Sequence, residues 1–181
     1  MNYQKTVTLR DGAVCLLRNG VGDDAQEVYR VFNLTHGQTE NLLTYPEENS
    51  FTVEEEREYL EKKESSPNAV EICAFLDGHM VGTAGIEPVG SKIKVKHRAE
   101  LGIAIDRAYW GRGIGRELIQ ACLECAREAG FVQVELDAAA ENDRGLALYR
   151  KMGFVEFGRN PKGFRTRDGR WQELVYMRLE L

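Results

Sequence analysis

A chain of 181 residues is long enough to bury one core, so a single domain over residues 1–181 is expected, and 43% hydrophobic with 29% charged residues describes an ordinary globular protein. A net charge of -5 argues against a nucleic-acid binder that rests on a basic surface, and it suits an amine-bearing acceptor better. The polar N-terminus has no signal core and no apolar run approaches the roughly 20 residues of a membrane helix, which predicts a cytoplasmic protein without membrane association.

Residues 6–9 and 13–17 alternate around Asp11-Gly12, a hairpin-turn dipeptide, so the chain opens with two antiparallel strands. From Asp23 as N-cap, Ala25, Val28, Val31 and Phe32 keep helical spacing, and the pattern fades at Asn33. Residues 35–49 have no clean period and read as a connection or as a substrate wall. Thr52 with Glu55 is a capping box that opens a very acidic helix, whose Glu54, Glu55, Glu56, Glu58, Glu61 and Glu64 read as a solvated face. Residues 70–76 and 80–86 flank Asp77-Gly78 as a second hairpin, and residues 92–98 alternate basic with apolar residues as a half-exposed strand edge would.

Residues 101–105 read as a buried strand and residues 111–115 as a glycine-rich turn. Ile114, Leu118, Cys122, Cys125 and Ala129 then carry one apolar stripe to Gly130. A strand over residues 132–136 and a short helix over residues 142–152 follow. Closing strands over residues 154–157 and 174–179 are separated by a basic loop, residues 159–170. Cys15, Cys73, Cys122 and Cys125 fall within apolar patterns and read as reduced core thiols, and no spacing points to a metal site. The element order predicts an α/β mixed fold: a mostly antiparallel sheet of about seven strands with helices on both faces.

The turn is where the chemistry concentrates. A helix start leaves backbone N–H groups without partners and carries the positive end of the helix dipole, which together attract phosphate. Gly111, Gly113 and Gly115 lack side chains that would block such an approach, and Arg112 and Arg116 add positive charge, so a pyrophosphate ligand is expected. The P-loop is excluded because no Lys-Ser or Lys-Thr follows the glycines, and a dinucleotide fingerprint fails because Arg116 or Leu118 stands at its third glycine.

What remains, Trp110-Gly111-Arg112-Gly113-Ile114-Gly115, resembles the acyl-CoA pyrophosphate loop of the GNAT superfamily of N-acetyltransferases, with Trp110 where that pattern begins with Gln or Arg. A second block, residues 142–154, resembles the family's N-x-x-A-x-x-L-Y-x-x-x-G-F pattern, with Gly145 for the usual Ala. The resemblance implies the GNAT fold and acetyl-CoA as cosubstrate. The acceptor it implies is a small-molecule amine or a peptide N-terminus, and it leaves room for a homodimer. It places Ile103, Ala104 and Ile105 along the pantetheine arm and Arg112, Gly113, Ile114, Gly115 and Arg116 on the pyrophosphate, with Asn142 also touching pantetheine.

By the same resemblance Glu100 is the general base and Tyr149 the acid that meets the leaving thiolate. Other readings of these residues stand beside that one: Glu100 in an ion pair with Arg98 or His97, Tyr149 as a core aromatic, Asn142 as a helix cap, and Glu40 as a reserve base. Two other functions stay open. One is an acyl-CoA-binding sensor without turnover, and the other is a nicotinamide enzyme with Glu135 as its ribose-binding acid.

Overall fold

The period-2 alternation of the opening residues forms β1 (Gln4–Thr8) and β2 (Val14–Asn19), paired antiparallel, in a computed structural model that describes residues 1–181. The helix α1 (Ala25–His36) starts where the pattern predicts but runs a turn further. Its last turn is held by side chains that periodicity does not register. Thr35 donates its hydroxyl to the Val31 carbonyl at 2.8 Å, and the His36 ring stacks on Phe32 at 3.7 Å. The predicted capping box opens α2 (Val53–Ser65), with the Thr52 side chain accepting from the Glu55 amide.

The second hairpin is β3 (Val70–Leu76) and β4 (His79–Pro88). The central unit comprises β5 (Arg98–Ile105), α3 (Ile114–Glu128) and β6 (Gln133–Ala139), followed by α4 (Asp143–Lys151). The chain closes with β7 (Val155–Arg165) and β8 (Trp171–Glu180).

Two sequence expectations are corrected. Residues 92–97 form an exposed turn rather than a strand, because the chain reverses there between β4 and β5. Local hydrogen bonds satisfy the backbone, the Val95 and Lys96 amides both donating to the Lys92 carbonyl at 2.9 Å. Most of the predicted basic loop at residues 159–170 is strand instead. β7 continues to Arg165 through register shifts near Gly158 and between Asn160 and Phe164, and bulges of this kind hide the alternation that sequence reading relies on.

The eight strands form one sheet in the order β1-β2-β3-β4-β5-β6-β8-β7. Every neighbouring pair is antiparallel except β5 and β6. The helix α3 covers one face through Ile114, Leu118, Ile119 and Cys122, joined there by Leu146 and Tyr149 of α4. On the other face Ala25, Val28 and Val31 of α1 meet Leu60 of α2 over Cys73 and Met80. All four cysteines are buried and unbridged, and no helix is long and apolar enough to cross a membrane.

One irregularity positions the site. The parallel pairing of β5 and β6 is confined to residues 98–100 against 133–135, whereas β4 pairs with β5 through to Ile105. The rest of β5 therefore has no strand neighbour on its β6 side, and its edge opens into the centre of the sheet.

Candidate active site

Beyond that open edge the chain turns into α3 through Gly113, the N-cap, at a φ of 101° that an L side chain rarely adopts. The backbone amides of residues 111–115 donate to no protein acceptor. The first to do so is Arg116, to the Gly113 carbonyl at 3.0 Å, followed by Glu117 at 3.3 Å. Unpaired amides at the positive end of a helix dipole are a receptor for phosphate oxygens.

The glycines of this turn serve different ends. A Cβ on Gly113 would meet nothing nearer than Arg10 Cγ at 3.9 Å, whereas one on Gly115 would lie 3.0 Å from Leu148 Cδ2 and 3.3 Å from Ile105 Cδ1. Gly115 is therefore needed for close packing of α3 on β5 and α4, which corrects the expectation that its missing side chain clears space for phosphate.

The cations are also arranged differently from the sequence expectation. Arg112 forms an ion pair with Asp11 of the first hairpin turn at 2.5 Å, and Arg116 lies beside Glu117 at 3.2 Å. Trp110 donates its indole N–H to the Ile105 carbonyl at 2.7 Å and carries the guanidinium groups of Arg107 and Arg144 over its ring. The residue that departs from the family pattern thus ties the turn to the end of β5 and holds two further arginines beside it. Sequence reading missed Arg10, Arg107 and Arg144, which come from separate elements.

On the α1 and α2 face of the sheet the open edge leads into a cavity of about 610 Å³. Thr83, Gly85 and Glu87 of β4 and Glu100, Gly102 and Ala104 of β5 form its floor, in register across the two strands. Leu101, Ile103 and Ile105 alternate to the opposite face toward α3. Glu100 takes part in neither of the ion pairs the sequence offered it. Arg98 pairs instead with Glu135 on β6, which also occupies the acid that a nicotinamide reading requires. Partial burial and then the neighbouring Asp137, Glu135 and Glu87 raise the Glu100 carboxyl above its ordinary value.

Tyr149 lines the same cavity and is 8% exposed. Burial and the charge of Asp137 push its hydroxyl up to about 12, so it is a neutral donor at physiological pH. Asn142 stands at the cavity wall and caps α4, its side-chain oxygen accepting from the Gly145 amide at 3.0 Å, which leaves its amide nitrogen for other partners. Glu40 is not brought to this site. It accepts a hydrogen bond from Tyr45 at 2.8 Å in a separate surface pocket.

The acidic helix α2 contributes more than a solvated face. Glu56 and Lys63 are each 6% exposed. Lys63 bridges Glu71 at 2.9 Å and Glu87 at 3.0 Å. Burial alone would lower its ammonium, but the charge of Glu71 first and then Tyr59 hold it above its ordinary value. Burial and then the charge of Glu71 push Glu56 from 4.5 to about 7.

The folded state therefore binds the Glu56 proton more tightly than the unfolded chain. Its contribution to stability is present below the ordinary carboxylate pKa and is lost as pH rises toward 7. Glu56→Gln should gain about 1–3 kcal/mol on the parent between pH 4 and pH 8 in denaturant titrations, and a difference independent of pH would show that Glu56 ionises as a surface carboxyl does.

The sequence profile of the Acetyltransferase (GNAT) family matches residues 28–154, a span that includes the open edge, the turn and α4. The chain belongs to this family. Its fold matches an acetyltransferase of the GNAT family from Streptococcus pneumoniae with a TM-score of 0.88 at 27% identity, over 92% of this chain and 99% of that one. It also matches yncA, a putative acetyltransferase from Salmonella typhimurium solved with its cofactor acetyl-CoA. There the TM-score is 0.81 at 19% identity, over 91% and 92% of the two chains. The N-alpha-acetyltransferase RimI of Mycobacterium tuberculosis is 38% identical over 102 residues, covering 56% of this chain and 62% of the relative's length.

Proposed function

We infer that this GNAT protein transfers the acetyl group of acetyl-CoA to a primary amine by direct attack. The observation that carries the reading is the row of unpaired amides at residues 111–115, set at the end of a strand edge that opens into an acidic cavity. The same turn-and-edge arrangement belongs to a fold shared with a Salmonella protein solved with acetyl-CoA, and RimI is named for acetyl transfer to an α-amine.

In this reading the amides of residues 112–115, with the Arg112 and Arg116 side chains beside them, hold the pyrophosphate. The free edge of β5 at Ile103, Ala104 and Ile105 pairs with the pantetheine as an added strand would, and the Asn142 amide nitrogen donates to the same arm. Glu100 takes one proton from the acceptor ammonium. The freed nitrogen lone pair attacks the thioester carbonyl carbon, the C–S bond breaks, and Tyr149 donates a hydrogen bond and proton to the departing sulfur while the new amide nitrogen gives up its second proton. The net reaction yields an N-acetylamine, free coenzyme A thiol and one proton. Unbridged thiols agree with the reducing cytoplasm as its location.

The test is acetyl-CoA-dependent thiol release by the purified chain over a panel of amines, paired with calorimetric titration of acetyl-CoA. Tight binding without thiol release would instead identify a sensor. Glu100→Gln should lower kcat about 10²-fold at neutral pH with acetyl-CoA affinity preserved. Because the Glu100 carboxyl is raised, the parent's rate should climb with pH through a value above the ordinary carboxylate range, and the variant should lose that acid limb. A variant that retains the limb would assign proton removal to water or another group.

A further inference from the structure

The cavity wall opposite the open β5 edge is built by α2, whose Glu56, Tyr59 and Lys63 share one helix face and line the space. Lys63 is committed to Glu71 and Glu87, and the other basic residue there, His36, is pushed below its ordinary value by burial and is uncharged at neutral pH. Glu100 and Asp137 on the floor and Glu56 on the wall have no ion-pair partner.

Glu56 is the telling residue, being 6% exposed and without any side-chain hydrogen bond. The one fully buried side-chain polar atom lacking a partner is Arg178 Nε, so the Glu56 oxygens keep some exposure, on a residue that lines the cavity. Only Lys63, committed to Glu71 and Glu87, acts on Glu56 from within the chain, so a further cation from outside would favour its ionised form. Glu56 is on α2, which packs over β3, and β3 is two strand spacings from β5, roughly 10 Å. Val28, Val31 and Phe32 supply apolar wall to the same space, beside the Lys63–Glu71 ion pair that lies over Gly85.

We propose that the acceptor is a linear aliphatic diamine or polyamine, its reacting nitrogen at Glu100 and Asp137 and a second, charged nitrogen held by Glu56. This rests on the acetyl-transfer reading and narrows it. Methylene groups suit the apolar wall, and each end meets a carboxylate that lacks a counterion. An acceptor carrying its own carboxylate, such as a free amino acid, finds no uncommitted cation in the cavity and is repelled by its acids. Arrival of the second ammonium ionises Glu56, so binding releases a proton near neutral pH.

The test compares kcat/KM for putrescine, spermidine, butylamine, 4-aminobutyrate and a short peptide with a free N-terminus, using the purified full chain and acetyl-CoA. The diamines should exceed butylamine by about 100-fold, with 4-aminobutyrate below butylamine. Glu56→Gln should pull the ratio of putrescine to butylamine toward one, by at least about tenfold. Equal values for putrescine and butylamine, or a peptide or 4-aminobutyrate as the best acceptor, would overturn the second-nitrogen assignment while leaving acetyl transfer intact. An undiminished ratio in folded Glu56→Gln would remove Glu56 from it. Thiol release with none of the acceptors, from a chain that binds acetyl-CoA, would defeat acetyl transfer and this inference together.

Discussion

Gly113→Val should fold and yet lose acetyl-CoA affinity by about 10²-fold or more, because the substitution acts on the amides that face the ligand and not on the core. A Cβ at this position meets only Arg10 Cγ, at 3.9 Å, so nothing resists the side chain sterically. The cost lies in the backbone. A β-branched residue at a φ of 101° is strained by about 1–3 kcal/mol, and relieving that strain rotates the peptide planes of the turn. Since the amides of residues 111–115 have no acceptor in the protein, the internal cost is confined to the Gly113 carbonyl, which accepts from Arg116 and Glu117, and the rest of the damage falls on phosphate binding.

Gly115→Val is the control. Its Cβ would press on Leu148 and Ile105, so it should destabilise the fold by about 1–3 kcal/mol through overpacking. Thermal melts and calorimetry on both variants separate the two effects. Normal acetyl-CoA affinity in a folded Gly113→Val protein would show that the turn does not bind the pyrophosphate.

Tyr149→Phe should keep the fold and acetyl-CoA affinity while lowering turnover by about 10²-fold, the scale on which loss of a positioned proton donor is felt. The ring lies edge-on to Phe154 at 6.1 Å and belongs to the core under α3 and α4, so phenylalanine fills the same volume. Only the hydroxyl differs, on a residue that lines the cavity. A phenol held near 12 remains protonated across the working range, so it offers a hydrogen to a departing thiolate without a charge to desolvate. If its role were packing alone, steady-state kcat would change less than about twofold, and water would then be the donor to the sulfur. A melt of the variant within a few degrees of the parent is required for either reading.

The helices and most strands were legible in the sequence because local rules decide them. Thr52 with Glu55 opened α2 as the capping box predicts, and the apolar spacing from Ile114 to Cys125 placed α3 against the sheet. The glycine turn with its unpaired amides was legible for the same reason, since its glycine spacing and the helix start after it are neighbours along the chain.

What local rules could not supply was decided by which elements packed together. Residues 92–97 alternate as a strand does, but the chain reverses there, and turn hydrogen bonds satisfied the backbone instead. Glu56 sits within a run of glutamates that reads as solvated, and it became a buried, unpartnered acid only because α2 docked over β3 and the cavity. Arg112 was drawn to Asp11, far off in sequence, while Trp110 gathered Arg107 and Arg144 around the turn. Glu100 was left without an ion pair when Arg98 turned to Glu135 on the adjoining strand. The opening between β5 and β6 has no sequence mark, because where two strands part depends on what packs on both of their faces. Periodicity records only which face of each strand is buried.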